Sequence, residues 1–400
     1  MIASRRAVLL ATLVAASSLR AQVRTGLEVL LSDSIHVLKG QRVGLITNHS
    51  GRDRDGRRNI DLLYRAPGVQ LVALFGPEHG LAGVARAGDR VGFGRDSATG
   101  LPIYSLYGET RVPTPEMLAD VDVLLYDIQD VGARVYTFVW TMALAAEAAG
   151  KLGKRFIVLD RPNPIRADVV EGGILGLPFR SFVGQYDVAL RYGLTPGELM
   201  RFLVGTGRIT AQVEVIPMGG YRRSMWHSES GLPWINPSPN IRDEEAALLY
   251  PGTVFFEATN LSEGRGTATP FKNIGAPWLT DATSIAEELN ARRVPGILFE
   301  AARTSVTAGD KHGGLTIPVI KLRVVDRNIA EPVAAAAWLM RVIYRRHPTD
   351  WQWRQGSIER LSGTAQLRAA VEQDGIAELL TRWKSESAAF KGSTQPYWLY

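Results

Sequence analysis

The chain of 400 residues has an ordinary globular composition, with 46% hydrophobic and 22% charged residues. At roughly 100–200 residues per domain, this length favours two domains. The net charge is +6 and no run of Lys or Arg stands out, so nothing in the sequence supports nucleic-acid binding. Cysteine is absent, which excludes disulfides, thiolate metal sites and a cysteine nucleophile.

Residues 1–21 have the pattern of a secretory signal peptide. Arg5 and Arg6 precede an uncharged apolar run over residues 7–16, and Ala21 stands at a candidate cleavage site. The paired arginines also resemble a twin-arginine signal. Because the apolar run is too short to span a bilayer, we predict an exported, periplasmic or extracellular protein without stable membrane insertion after cleavage. An uncleaved anchor is the alternative.

From about residue 27 to 180, apolar strands alternate with helical segments. The predicted strands are Arg42–Thr47, Val69–Phe75, Val121–Tyr126 and Phe156–Leu159. The predicted helices are Asn59–Tyr64, Pro115–Ala119 and Tyr136–Ala149. Short apolar runs of this kind are typical of strands covered on both faces. The alternation predicts an α/β fold with a doubly wound, mainly parallel sheet.

The later part of the chain predicts a smaller α+β domain. Thr195 and Glu198 form a capping box at the start of a helix, and Val213–Ile216 is predicted to be a strand. We place the domains at 22–249 and 250–400. The elements predicted in the second domain are strands Val254–Glu257 and Thr316–Val325 and helices 281–291, 331–346 and 365–384.

Each strand of the first domain ends in a polar loop. Ligands of open α/β sheets bind outside the carboxyl ends of the strands, so these side chains are expected along one edge. They are Asn48, His49, Glu78, His79, Asp127, Gln129, Asp130, Asp160, Arg161 and Asn163.

Several site signatures are absent from the sequence. The first strand is not followed by the G-x-G-x-x-G loop of dinucleotide-binding proteins, so no cofactor is expected. There is no G-x-S-x-G nucleophile elbow. The six histidines show neither H-x-H nor H-E-x-x-H spacing, and no metal site is predicted. A metal shared by His49 and His79 stays open as an alternative.

The strongest local signal is the loop Gly76-Pro77-Glu78-His79-Gly80. Pro77 restricts φ and Gly80 permits a sharp turn, so Glu78 is held rigidly at a strand end. A fixed carboxyl group on the binding edge of a sheet is suited to general acid catalysis. A surface ion pair with a nearby arginine is the alternative interpretation of Glu78.

Other motifs supply further acidic groups. Asp130 lies in a stretch at a strand-to-helix junction that also contains Arg134 and Tyr136, and such side chains can bind sugar hydroxyls. Glycoside hydrolysis commonly uses two carboxyl groups. Asp130, Glu171 and Glu263 are the candidate partners of Glu78, and sequence spacing leaves the choice among them open.

Five of these motifs occur in order along the chain: GPEHG at 76–80, QDVGARVYT at 129–137, DRPNP at 160–164, PSPN at 237–240 and SEGRGT at 262–267. Together they resemble the NamZ family of bacterial exo-β-N-acetylmuramidases, over nearly the whole chain from Gly26 to Tyr400. The resemblance implies a Rossmann-like domain, a smaller C-terminal domain and an active-site cleft between them.

The resemblance also implies a glycoside hydrolase of cell-wall recycling. Its expected substrates are peptidoglycan-derived muramyl saccharides, from which it removes β-1,4-linked N-acetylmuramic acid at the non-reducing end. The loop glutamate of the family corresponds to Glu78, the expected general acid, while Glu171 and Glu263 stay candidates for the second catalytic group. We expect Arg134 and Arg265 to bind the lactyl carboxylate, because a guanidinium matches a carboxylate with two hydrogen bonds.

The remaining predicted substrate-binding residues are Asn48, His79, Gln129, Asp130, Tyr136, Asn163 and Asn240. Two other functions stay open at this point: a non-catalytic cell-wall sugar-binding protein, and a metal-dependent hydrolase or esterase. The oligomeric state and the stereochemical outcome are also open.

Overall fold

The computed structural model describes residues 22–86 and 88–400, so the predicted signal peptide lies outside the described residues. The strands are β1 (Arg42–Thr47), β2 (Gln70–Gly76), β3 (Gly94–Arg95), β4 (Pro102–Ser105), β5 (Val123–Asp127), β6 (Arg155–Leu159), β7 (Glu171–Ile174), β8 (Ala189–Arg191), β9 (Val213–Ile216), β10 (Asn273–Gly275), β11 (Ile297–Ser305) and β12 (Thr316–Val324). The α-helices are α1 (Gly26–Val29), α2 (Asn59–Arg65), α3 (Phe138–Lys151), α4 (Pro196–Gly205), α5 (Glu244–Thr253), α6 (Ala282–Ala291), α7 (Pro332–Arg346), α8 (Ser357–Ser362), α9 (Gln366–Gln373) and α10 (Ile376–Thr394).

Seven strands form the main sheet, in the order β3-β4-β2-β1-β5-β6-β9. All neighbours pair in parallel except β3 with β4. From β4 to β9 the strands follow the order 3-2-1-4-5-6 of a Rossmann fold, which reverses between β1 and β5. The predicted doubly wound α/β sheet is therefore confirmed.

Both faces of this sheet are covered, which explains the nearly continuous apolar sequence of its central strands. Leu45 and Leu125 point into one apolar cluster, together with residues of α1 and α2. Ile46 and Leu124 point to the other face, where α3 packs. Since neighbouring residues of a strand face opposite sides, a strand buried on both faces needs apolar residues at every position.

The C-terminal part is built around the antiparallel sheet β10-β12-β11, with α6 packed on β11 and α5 on α7. This confirms the smaller α+β unit. The predicted boundary at 249/250 falls inside α5, which runs from Glu244 to Thr253. One apolar cluster extends from Ile46 to Phe390, so the two parts share a continuous core.

Three predicted elements are wrong. Residues 115–119 form a turn instead of a helix. Residues 254–257 lie in a 3-10 helix, Val254–Ala258, that continues α5, so their apolar run is buried without being a strand. The helix predicted over 365–384 is broken, because Asp374 adopts a left-handed φ of 64° between α9 and α10. No helix in the described part of the chain is long and apolar enough to cross a membrane.

Candidate active site

The Glu78 loop is a tight turn at the carboxyl end of β2. His79 and Gly80 both have positive φ, 68° and 73°, and the Gly80 N–H donates to the Pro77 carbonyl at 2.9 Å. The His79 ring bonds the Ala85 carbonyl at 2.7 Å. These bonds fix the backbone on both sides of Glu78, as the sequence predicts.

Donors from two other segments hold the Glu78 carboxylate. The Thr137 hydroxyl donates to one oxygen at 2.6 Å, and the Gly88 N–H donates to the other at 3.1 Å. Thr137 immediately precedes α3. Burial and the negative charge of Glu78 raise the pKa of Tyr107 to about 12, so this phenol keeps its proton beside the carboxylate. Glu78 is therefore oriented before any ligand binds.

Glu78 opens into a cavity of about 300 Å³, which we call the Glu78 cavity. Its walls come from both parts of the chain, which matches the predicted cleft. Its lining residues include Glu78, His79, Tyr107, Arg111, Tyr136, Thr137, Phe182, Tyr250, Glu257, Arg265 and Arg360.

Aromatic rings form a packed wall of this cavity. Tyr136 meets Phe138 edge to face at 4.8 Å and Tyr250 at 5.8 Å between ring centroids. Tyr250 in turn meets Phe271 at 4.8 Å. Such edge-to-face contacts stabilise the wall and fix the ring planes. The predicted site residues His79 and Tyr136 both line the cavity.

Arg265 also reaches the cavity, but its charge is already matched. Its guanidinium lies 2.5 Å from Glu257 and 3.1 Å from Glu263. Burial alone would lower the pKa of Arg265, but these two carboxylates raise it above its usual value. Glu263 is buried, is paired as well with Lys311 at 2.9 Å, and is not among the residues that line the cavity. Glu257 does line it.

Two predicted substrate-binding residues after β1 and β5 use their side chains internally. The Asn48 carbonyl oxygen accepts the backbone N–H and the hydroxyl of Ser50, at 2.9 and 2.6 Å. The Gln129 amide donates to the carbonyls of Asp130 and Pro162, both at 2.8 Å. Neither lines the Glu78 cavity, so their predicted place in this site is corrected.

Asp130 and Asn163 have similar structural roles. Asp130 accepts the Gly132 N–H at 2.6 Å and the Tyr192 hydroxyl, and burial raises its pKa to about 7. Asn163 donates to the Leu194 carbonyl at 2.9 Å. Both side chains are buried away from the Glu78 cavity. They hold loops together, which again corrects the prediction.

Arg134 is another correction. It is fully buried and donates to the carbonyls of Gly173, Val188 and Leu361 at 2.9–3.2 Å. Burial lowers its pKa to about 9. A guanidinium engaged by three main-chain carbonyls joins segments of the fold and cannot reach a ligand. Asn240 is half-buried and does not line the cavity either.

Glu171 lies at a different place in the fold. One of its oxygens accepts the N–H groups of Val333 and Ala334, at 2.8 and 3.2 Å, in the first turn of α7. Burial raises the pKa of Glu171 to about 7, although Arg191 opposes the shift from 3.9 Å. The residue lines a separate cavity of about 780 Å³. Glu171 is therefore not the carboxylate that faces Glu78.

The histidines that suggested a shared metal bind main-chain carbonyls instead. His49 bonds Asn236 at 2.6 Å, and His79 bonds Ala85 as described above. Within residues 22–86 and 88–400, no group of three or more His, Asp or Glu side chains is arranged to hold a metal ion.

Sequence reasoning missed several residues of the Glu78 cavity. Thr137 is the last residue of the 129–137 motif and immediately precedes α3, so a hydroxyl group before a predicted helix was the available signal. Tyr107 follows β4 as Glu78 follows β2, so the rule of polar strand ends applies to it as well. Glu257 was missed because residues 254–257 were wrongly predicted to form a strand. No local signal marks Arg111 or Arg360.

Comparison with known proteins places the chain in a family. Residues 43–245 match the model of the N-terminal part of exo-β-N-acetylmuramidase NamZ, and residues 248–400 match the model of its C-terminal part. The chain is 41% identical over 381 residues to the peptidoglycan β-N-acetylmuramidase NamZ of Bacillus subtilis, covering 95% of this chain and 92% of that protein.

Two crystal structures of DUF1343 family proteins from Bacteroides fragilis share the fold. One has a TM-score of 0.89 and 37% identity, covering 95% of this chain and all of the other. The second has a TM-score of 0.76 and 29% identity, covering 95% and 99%. Both family models and these relatives agree over nearly the whole described chain, and the protein therefore belongs to the NamZ family of exo-β-N-acetylmuramidases.

Proposed function

We propose that this enzyme hydrolyses the bond of β-1,4-linked N-acetylmuramic acid at the non-reducing end of peptidoglycan fragments, with Glu78 as general acid. The observation that carries the proposal is the oriented Glu78 carboxyl group in a cavity between the two parts of a NamZ family chain. The cavity of about 300 Å³ is at the small end of ligand sites, which favours a terminal sugar over a polymer passing through.

In this proposal Glu78 gives its proton to the glycosidic oxygen as the bond to the sugar C1 breaks. The leaving saccharide departs as an alcohol, and water supplies the hydroxyl group of the released muramic acid. Positive charge develops on the sugar ring in the transition state. Among the described residues that line the cavity, Glu257 is the other carboxylate, and we assign it to stabilising that charge or activating the water.

The test compares the wild type with Glu78→Gln on a saccharide that carries β-1,4-linked N-acetylmuramic acid at its non-reducing end, because the sugar leaving group of this bond requires protonation. We expect kcat to fall at least ~1,000-fold, since loss of proton transfer and of the carboxylate removes a large part of the catalysis. The unfolding free energy should stay near that of the wild type. Glu116→Gln is the matched control, because Glu116 is exposed and lies outside the cavity.

Near-normal turnover by Glu78→Gln would remove Glu78 from the proposed role. The same assay separates the other functions. Binding of the sugar without release by the wild type would indicate a sugar-binding protein, and release that stops on adding a chelator would indicate a metal-dependent hydrolase. Released muramic acid appearing ahead of internal cleavage products would support exo action.

We also propose that the protein is exported through residues 1–21. The support is the sequence pattern alone: paired Arg5 and Arg6, an apolar run and small residues. Fractionation of cells expressing the full chain should place the mature protein outside the cytoplasm. Replacing both arginines by lysine should block export if the twin-arginine route is used, and unchanged export would assign the leader to the general route.

A further inference from the structure

Three arginines line the Glu78 cavity, and their charges are balanced differently. Arg265 is paired with Glu257 and Glu263, and Lys311 shares Glu263. These two cations and two carboxylates cancel. Outside that cluster, the described lining residues include the cations Arg111 and Arg360 and the acidic group Glu78, so positive charge is in excess by at least one.

Arg111 is held in place without an acidic partner. Its guanidinium carbon lies 4.2 Å from the centroid of the Phe182 ring and 5.3 Å from that of Tyr107. Within the part of the chain that the structure describes, no carboxylate lies within 4.0 Å of it, whereas Arg265 has two. Stacking on an aromatic face fixes the plane of a guanidinium and leaves its N–H edge free to donate.

Arg360 reaches the same cavity from α8, in the C-terminal part of the chain. It is exposed and bonds only its neighbour Ser357, at 3.3 Å, among the described residues. It is therefore less restricted than Arg111. The two arginines come from the N-terminal and C-terminal parts of the chain, line one cavity, and have no carboxylate partner among the described residues.

We infer that Arg111 is the specificity-determining cation that binds the lactyl carboxylate of N-acetylmuramic acid, with Arg360 as a weaker second donor. The inference rests on the proposed function and names the group that recognises the acidic sugar. It replaces Arg134, which is buried, and Arg265, whose charge is matched within the protein. A bound carboxylate would cancel the excess positive charge, and a guanidinium can bind both of its oxygens.

The test uses two chromogenic substrates, the β-glycoside of N-acetylmuramic acid and the same compound with its lactyl carboxylate methylated. Arg111→Met should lower kcat/KM for the acid about 10- to 100-fold, the range expected for a lost charge-assisted hydrogen bond. The value for the ester should change less than threefold. Arg111→Lys should lie between, because it keeps the charge without the planar fork. Arg360→Met should show a smaller loss, also confined to the acid.

Arg303→Met is the matched control, since it removes one positive charge from exposed strand β11 away from the cavity. Equal losses on acid and ester would mean that Arg111 only supports Tyr107 and Phe182, and would overturn the inference. No loss on either substrate would overturn it too. Where the ester turns over too slowly, inhibition constants of the free sugar and its methyl ester give the same ratio. Failure of the wild type to release the chromophore would instead overturn the proposed function.

Discussion

The loop after β2 and the loops after β1, β5 and β6 lie at the same edge of one parallel sheet, and each is rich in polar side chains. After β1, β5 and β6 the polar side chains bind within the protein: Asn59, the first residue of α2, donates to Asp127 at 2.7 Å, and Arg161 pairs with Asp127 at 2.6 Å. After β2, Glu78 faces an open cavity. In this sheet, a polar loop at a strand end therefore lines a ligand-sized cavity only where the segments packed beside it leave space.

In a Rossmann-type order the usual ligand crevice lies at the switch between β1 and β5. Here that crevice is filled by the protein's own carboxylate, amide and guanidinium groups. The Glu78 cavity lies to one side, over β2 and α3, and is completed by the C-terminal part. The strand order is therefore that of a Rossmann fold, whereas the Glu78 cavity lies away from the usual ligand crevice of such a fold.

The largest expected effect is on the filled crevice. Asp127→Ala leaves the Arg161 guanidinium buried without its partner, and both side chains are at most 5% exposed. We expect the free energy of unfolding to fall by about 3–5 kcal/mol, measured by denaturant titration. Asp120→Ala is the control, because Asp120 is 87% exposed in its pair with Arg42 and should cost at most about 1 kcal/mol. Equal losses of unfolding free energy in Asp127→Ala and Asp120→Ala would contradict the structural role assigned to the buried pair.

A second prediction concerns Glu171, which the sequence analysis kept as one of three candidate partners of Glu78. Its pKa is about 7 in the folded chain against an ordinary 4.5, so the folded state binds this proton more tightly. That contribution to stability is present below about pH 4.5 and is lost as the pH rises to about 7. Glu171→Gln should therefore reduce the fall in unfolding free energy between pH 5 and 8 by on the order of 3 kcal/mol.

Because Glu171 lies on a different cavity, kcat/KM of Glu171→Gln should stay within about twofold of the wild type, a small change for a residue without contact to the reacting groups. Asp130 and Asp160 have similarly raised pKa values of about 7, so part of the pH dependence should persist in the variant. An unchanged pH dependence, or a large loss of turnover, would contradict this placement.

Part of the fold and of the candidate site could be predicted from the sequence. The parallel strands β1, β2, β5, β6 and β9, the capping box at Thr195 and the rigid Glu78 loop follow from local patterns, because each depends on neighbouring residues. The role of Arg134 does not, since its acceptors include the carbonyl of Leu361, 227 positions away. The position of Glu171 against the first turn of α7 likewise depends on contacts between residues that are far apart in the sequence. The spacing of motifs along the chain carries no information about such contacts.

A third prediction addresses the second carboxylate of the cavity. Glu257→Gln should lower kcat about 100-fold, because a neutral amide stabilises a developing positive charge much less than a carboxylate does. Turnover of the chromogenic muramic acid glycoside measures this effect, and a denaturant titration checks that the loss of the pair with Arg265 has not unfolded the chain. Exposed Glu287, replaced by Gln, is the control. A loss below threefold would exclude Glu257 from the reaction.

The smallest of these effects is expected at Thr137, whose hydroxyl donates to Glu78 at 2.6 Å. Thr137→Val keeps the shape of the side chain and removes the donor, so the carboxyl group loses one of its two orienting bonds. We expect kcat to fall about 10-fold, corresponding to roughly 1.4 kcal/mol, with little change in KM. Thr137→Ser retains the hydroxyl and should stay within threefold of the wild type. Equal losses in the two variants would show that packing before α3, rather than the hydrogen bond, makes Thr137 matter.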